Sequence, residues 1–97
     1  MPRLRRSGSL TFLRAHELGT GFGPDDDHID VEVVAKIDAE PDHAFGLALR
    51  NDEPRPSREG MLGLLRDGFN QDWNTTVEYD LQEGRHNGIL IRVELRK

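Results

Sequence analysis

The chain predicts an α+β fold: a five-stranded antiparallel sheet in the order β-β-β-α-β-β with one helix at about 57–70. Two observations lead to this. Only the stretch from Pro56 to Phe69 has the apolar period of a helix, and alternating strand-like segments flank it on both sides. With 97 residues and 35% hydrophobic content, the chain is long enough to bury one core as a single domain.

Met1 to Ser9 carries Arg3, Arg5 and Arg6 among Pro, Ser and Gly without periodicity, which predicts a disordered basic arm ahead of a domain spanning 10–97. Leu10 to Leu18 reads as a first strand with imperfect alternation. Gly19 to Asp27, with three glycines, a proline and three aspartates, reads as a loop. Ile29 to Ile37 alternates most clearly: Ile29, Val31, Val33, Ala35 and Ile37 share one face, while Asp30, Glu32 and Lys36 share the other. Asp38 to His43 contains Pro41 and forms a turn. Ala44 to Leu49 is nearly all apolar, as in a strand covered on both faces, with Phe45, Leu47 and Leu49 opposite the flat trio Ala44, Gly46 and Ala48.

Ser57 is a candidate helix N-cap with Glu59 in the first turn, since Pro54 and Pro56 oppose helix before it. At about 100° per residue, Met61, Leu62, Leu64, Leu65 and Phe69 fall within roughly 160° of one another. Gly60, Gly63 and Gly68 each weaken the helix by about 0.5–1 kcal/mol relative to alanine, so packing rather than propensity must hold it. Gly60 and Gly63 leave the far side free for close approach of another backbone. Thr75, Val77, Tyr79 and Leu81 then alternate inward, Asn87-Gly88 suits a positive-φ hairpin turn, and Ile89, Ile91, Val93 and Leu95 form the last inward face. This element order is similar to that of OB-type barrels, so the sheet is either open or curled into an OB-like barrel.

Charge is unevenly placed. The net charge is −5, yet residues 17–42 alone hold nine acids against one lysine, while residues 43–97 hold nine acids and eight bases. The absence of cysteine excludes disulfides, thiolate zinc sites and thiol nucleophiles. No apolar run reaches membrane-spanning length, and Leu10 to Leu13 is too short for a signal-peptide core, so a cytoplasmic protein with no membrane partner is expected.

The motifs that carry chemistry are sparse. Asp25, Asp27, His28 and Asp30 are candidate metal ligands, because clustered carboxylates lower their mutual repulsion by binding a hard cation, although EF-hand spacing is lacking. Gly19-x-Gly21-x-Gly23 lacks the lysine and helix of a phosphate loop and is followed by aspartates that would repel phosphate. His16, His28, His43 and His86 lie in separate segments without ligand spacing, and no G-x-S-x-G elbow is present, so no catalytic residue and no cofactor is assigned.

The sequence therefore predicts a non-enzymatic protein-binding or regulatory module, self-associating or binding another protein through an acidic hairpin. Asp30, Glu32, Ala44, Gly46 and Ala48 are its candidate partner-binding residues. One alternative is an OB-like nucleic-acid-binding domain, disfavoured because Phe12, Phe22, Trp73 and Tyr79 are not interleaved with cations along the chain. The other is a small metal-dependent enzyme using the 25–30 acidic loop.

Overall fold

The computed structural model describes residues 3–17, 19, 21–50 and 52–96. Met1 and Pro2 of the expected arm, Leu18 of the expected first strand and Thr20 of the glycine loop lie outside the described residues. The elements are β1 (Arg3–Gly8), β2 (Leu10–Ala15), a 3-10 turn (Asp25–Asp27), β3 (Val33–Ile37), β4 (Ala44–Leu47), α1 (Arg55–Gln71), β5 (Asn74–Asp80) and β6 (Asn87–Arg96).

The α+β class holds, but the sheet has six strands and is mixed. Its order is β1-β5-β6-β4-β3-β2, with β4 and β6 parallel and every other pair antiparallel. β1 and β2 occupy its two ends although only Ser9 separates them in the chain. The sheet is thus curled, with one run of chain forming both edges, and is not closed into a barrel. Ser9 N–H donates to Asp38 Oδ1 (3.0 Å) and the Ser9 carbonyl accepts from Asp38 N–H (2.9 Å), which pins the junction.

The sixth strand replaces most of the expected disordered arm. Arg3–Gly8 pairs in register with Asp80–Thr75, and its arginines meet acids there: Arg5 lies 3.2 Å from Glu78 and 3.3 Å from Glu94, while Arg6 lies 2.7 Å from Glu40. The basic stretch lacks apolar alternation because its partners are charges. Each exposed pair contributes little alone, yet Leu4 packs on the core and Ser7 Oγ lies 2.7 Å from Thr76 Oγ1.

Two bulges reset the apolar alternation. In β2 the register skips Thr11, so Leu10 and Leu13 both join the main core while Phe12 faces the other side. In β6 it skips Ile91, so Leu90 rather than Ile91 shares the inner face with Val93. The inner face carries Ile37, Phe45, Leu47, Val77 and Tyr79, all fully buried. The connection from β5 to β6 turns at Gly84, whose φ of +82° suits glycine, and not at Asn87-Gly88; those two residues are already in β6 and buried.

Helix α1 starts earlier than expected. Pro54 is its N-cap, Pro56 sits in the first turn where the missing N–H costs nothing, and the Ser57 hydroxyl donates to the Pro54 carbonyl at 2.9 Å. Only part of the apolar stripe is covered: Leu65 is fully buried, whereas Leu64 and Phe69 remain 38% and 44% exposed. The helix packs on β2, β5 and β6. Close approach occurs at Gly68, not at Gly60 or Gly63. A Cβ on Gly68 would stand 2.7 Å from Thr75 Oγ1 and 2.9 Å from Leu95 Cδ2, while Gly60 and Gly63 face open space. Among the described residues, no helix is long and apolar enough to cross a membrane.

Candidate functional site

The outer face of the sheet, opposite α1, is organised by the irregular segment 21–32. The expected long strand from Ile29 begins only at Val33; before it, Ile29 bridges Phe22 through paired backbone hydrogen bonds of 2.8 and 2.9 Å. His16 holds the next residues, its Nε2–H donating to the Val31 carbonyl at 2.6 Å and its backbone N–H to the Glu32 carbonyl at 2.8 Å. With regular pairing lost here, Ile29 and Val31 swing over the sheet. They form a second small core with Val34 and Ala44, flanked by Phe12, Phe22, Ala48 and Ile89.

The flat trio is therefore the floor of this second core. Ala44 and Gly46 are buried and Ala48 is half-buried; a Cβ on Gly46 would come within 2.7 Å of Val31 Cγ2 and 2.8 Å of Ile29 Cδ1. What lies against the flat face is the chain's own segment. Asp30 and Glu32 are both committed to Arg50, whose Nη2 lies 2.9 Å from Asp30 Oδ1 and 3.0 Å from Glu32 Oε2 and donates to the Asp30 carbonyl at 2.8 Å. Burial pushes the Glu32 carboxyl up, but the Arg50 guanidinium and the Leu49 N–H at 2.8 Å outweigh it and hold the group below the usual carboxylate range.

The acidic turn is tethered in the same way. The Asp27 carboxylate accepts from the His86 and Asn87 N–H groups at 3.1 Å each, and its carbonyl accepts from Asn87 Nδ2 at 2.9 Å. Asn87 Oδ1 in turn accepts from the Ala44 N–H at 3.2 Å, joining turn, β4 and β6. His28 Nδ1–H donates to the Gly23 carbonyl at 3.1 Å, and Asp25 is exposed. Asp27, His28 and Asp30 thus face separate partners, Asp25 is exposed, and among the described residues no three His, Cys, Asp or Glu side chains are grouped to hold a metal ion.

Two features of this face were invisible in the sequence. The first is a cluster of cations on aromatic rings. Lys36 Nζ lies 5.5 Å from the Phe12 ring centroid and 5.7 Å from that of Phe22, and Arg14 Cζ lies 5.1 Å from the Phe22 centroid. Only the β2–β3 register, which sets Phe12 opposite Lys36, brings these residues together. The second is a cavity of about 190 Å³ beyond Ile29 and Ile89, lined also by His28, Asp30, Asp80, Gln82, Arg85, Asn87 and Gly88. Arg85 Nη1 donates to the His28 carbonyl at 3.1 Å and so forms part of its wall.

No protein-family model, curated protein or solved structure matches this chain.

On the inner side of β4 and β5, Tyr79 packs at 4.5 Å against Phe45 and at 6.3 Å against His43, whose ring stands 5.5 Å from His86. Burial raises the Tyr79 hydroxyl above its ordinary range, with Arg6 opposing. Tyr79 Oη and His43 Nδ1 are buried without a hydrogen-bond partner among the described residues. Tyr79 is fully buried, whereas the His43 side chain is 19% and that of His86 62% exposed.

Proposed function

We propose that this protein is a non-catalytic, cytoplasmic binding module that takes a protein partner on the outer face of its sheet, around the tethered 21–32 segment. The observation that carries the reading is the pair Phe12 and Phe22, left half-buried at the rim of the second core with Arg14 and Lys36 over their rings. Aromatic residues and arginine are the side chains enriched at protein interfaces, and here they sit on a face with no helix over it among the described residues. The acids at 25–30 supply a polar, charged border of the kind that steers a partner rather than anchoring it.

A photoreactive side chain at position 36 tests this against one at position 66, where Arg66 is exposed on α1. The reading expects protein crosslinks, to a second copy or to another chain of the source cell, from position 36 only. Equal labelling from both positions contradicts it.

A second reading, single-stranded nucleic acid, is supported by the same four residues and by strand connectivity. Taking β1 and β2 as one bent strand leaves five strands with the helix between the third and fourth, as in partly open OB-type sheets that bind oligonucleotides on an outer face. Charge is against it, since Asp25, Asp26 and Asp30 stand exposed around the patch. Fluorescence anisotropy with a labelled oligothymidine at low salt decides: binding that Lys36→Glu abolishes favours this reading, and no binding removes it.

A further inference from the structure

We propose that the cavity between residues 28–30 and the β5–β6 hairpin receives an arginine side chain of the protein partner, an assignment that rests on the protein-binding reading above. Size is the first argument. At about 190 Å³ the cavity falls below the roughly 300–1,000 Å³ of small-molecule sites, which suits one long side chain.

Lining chemistry is the second argument. Ile29 and Ile89 offer an apolar wall to an aliphatic stem, and Asp30 and Asp80 offer carboxylates to its head. Neither acid is fully used. Asp30 is 61% exposed at its side chain and meets Arg50 through one oxygen, while the cation nearest to Asp80 is Arg3 at 3.9 Å, itself 62% exposed.

Charge decides the sign of the ligand. Arg85 is the cation of the lining, and it is turned onto the His28 carbonyl. Asp25 and Asp26 belong to the turn that Asp27 pins beside the cavity wall, and Glu83 belongs to the hairpin; all three are exposed, with no ion pair among the described residues. The local field is negative, so a cationic head is preferred to an anionic one. A planar guanidinium can bond two carboxylates at once, which an ammonium does less well, and arginine is a common interface anchor.

The test is an amide NMR titration of the full chain with blocked Gly-Arg-Gly, and in parallel with blocked Gly-Glu-Gly, at low salt. The expected result is saturable shifts at Asp30, Gln82, Gly88 and Ile89 with the arginine peptide only, at a dissociation constant on the order of 1 mM, as suits one side chain. Asp80→Asn weakens this binding about tenfold or more, equivalent to about 1.4 kcal/mol, and Arg66→Gln, exposed on α1, leaves it unchanged. Asp30→Asn serves as the second variant if Asp80→Asn loses its dispersed spectrum. Absence of saturable shifts, equal shifts with both peptides, or indifference to both aspartate variants overturns the assignment. Shifts confined to Phe12, Phe22 and Lys36 overturn it too while leaving the protein-binding reading standing; crosslinking from position 36 tests that reading separately.

Discussion

The two faces of the sheet are covered by different means. The inner face is sealed by α1 and by large side chains, Phe45, Leu47, Leu65 and Tyr79, all fully buried. The outer face is sealed by an irregular segment bearing Ile29 and Val31, over alanines and a glycine, and is held down by polar tethers from Asp27, His16 and Arg50. Burial of apolar area drives folding in proportion to that area, so the inner face carries global stability. A cover made of few apolar contacts and many individual hydrogen bonds opens at lower free energy. The proposed recognition surface lies on the outer face, where aromatic rings, a cavity and exposed acids come together.

The largest expected effect lies on the inner face. Leu65→Ala removes the fully buried contact between helix and sheet and should cost about 2–5 kcal/mol, read as a loss of urea midpoint with an unchanged slope. Val31→Ala, on the outer face, removes two methyl-sized groups and should cost about 1.5 kcal/mol by the same measurement. Equal losses at the two sites would end the distinction between the faces.

Much of the inner face was legible in the sequence. The alternation of Thr75, Val77 and Tyr79 and the bulky Phe45 and Leu47 are inward as read, because regular strands repeat every two residues. The bulges at Thr11 and Ile91 were not legible, since an extra residue in one strand is defined only by its partner. β1 was missed because its side chains meet charges rather than an apolar face, and its partner strand β5 lies more than sixty residues away. On the candidate site, the flat trio was read as a partner-binding face, and Ile29 and Val31 of the same chain lie over it. That cover depends on Ile29 and Val31 leaving the strand, which their alternation concealed.

A smaller effect separates the tethers from the core by pH. The Glu32 carboxyl is held below its ordinary range in the folded chain, so its contribution is present above the unfolded value of about 4.3 and is lost as pH falls below it. Thermal unfolding of Glu32→Gln across this window should lack that part of the wild-type decline. An identical pH profile would remove Glu32 from the set of outer tethers. The smallest change is a gain: Gly60→Ala, in open space on α1, should stabilise by about 0.5–1 kcal/mol without altering either face.

Native-state hydrogen exchange tests the contrast between the faces most directly. The amides of Phe22 and Ile29, which bond each other across the outer cover, should open at least about 2 kcal/mol more easily than those of Val77 and Val93 in the core. Asp27→Ala should widen that gap by loosening the cover while leaving core exchange unchanged. Equal opening free energies at all four amides, in the wild type and in Asp27→Ala, would show one cooperative unit and contradict the account.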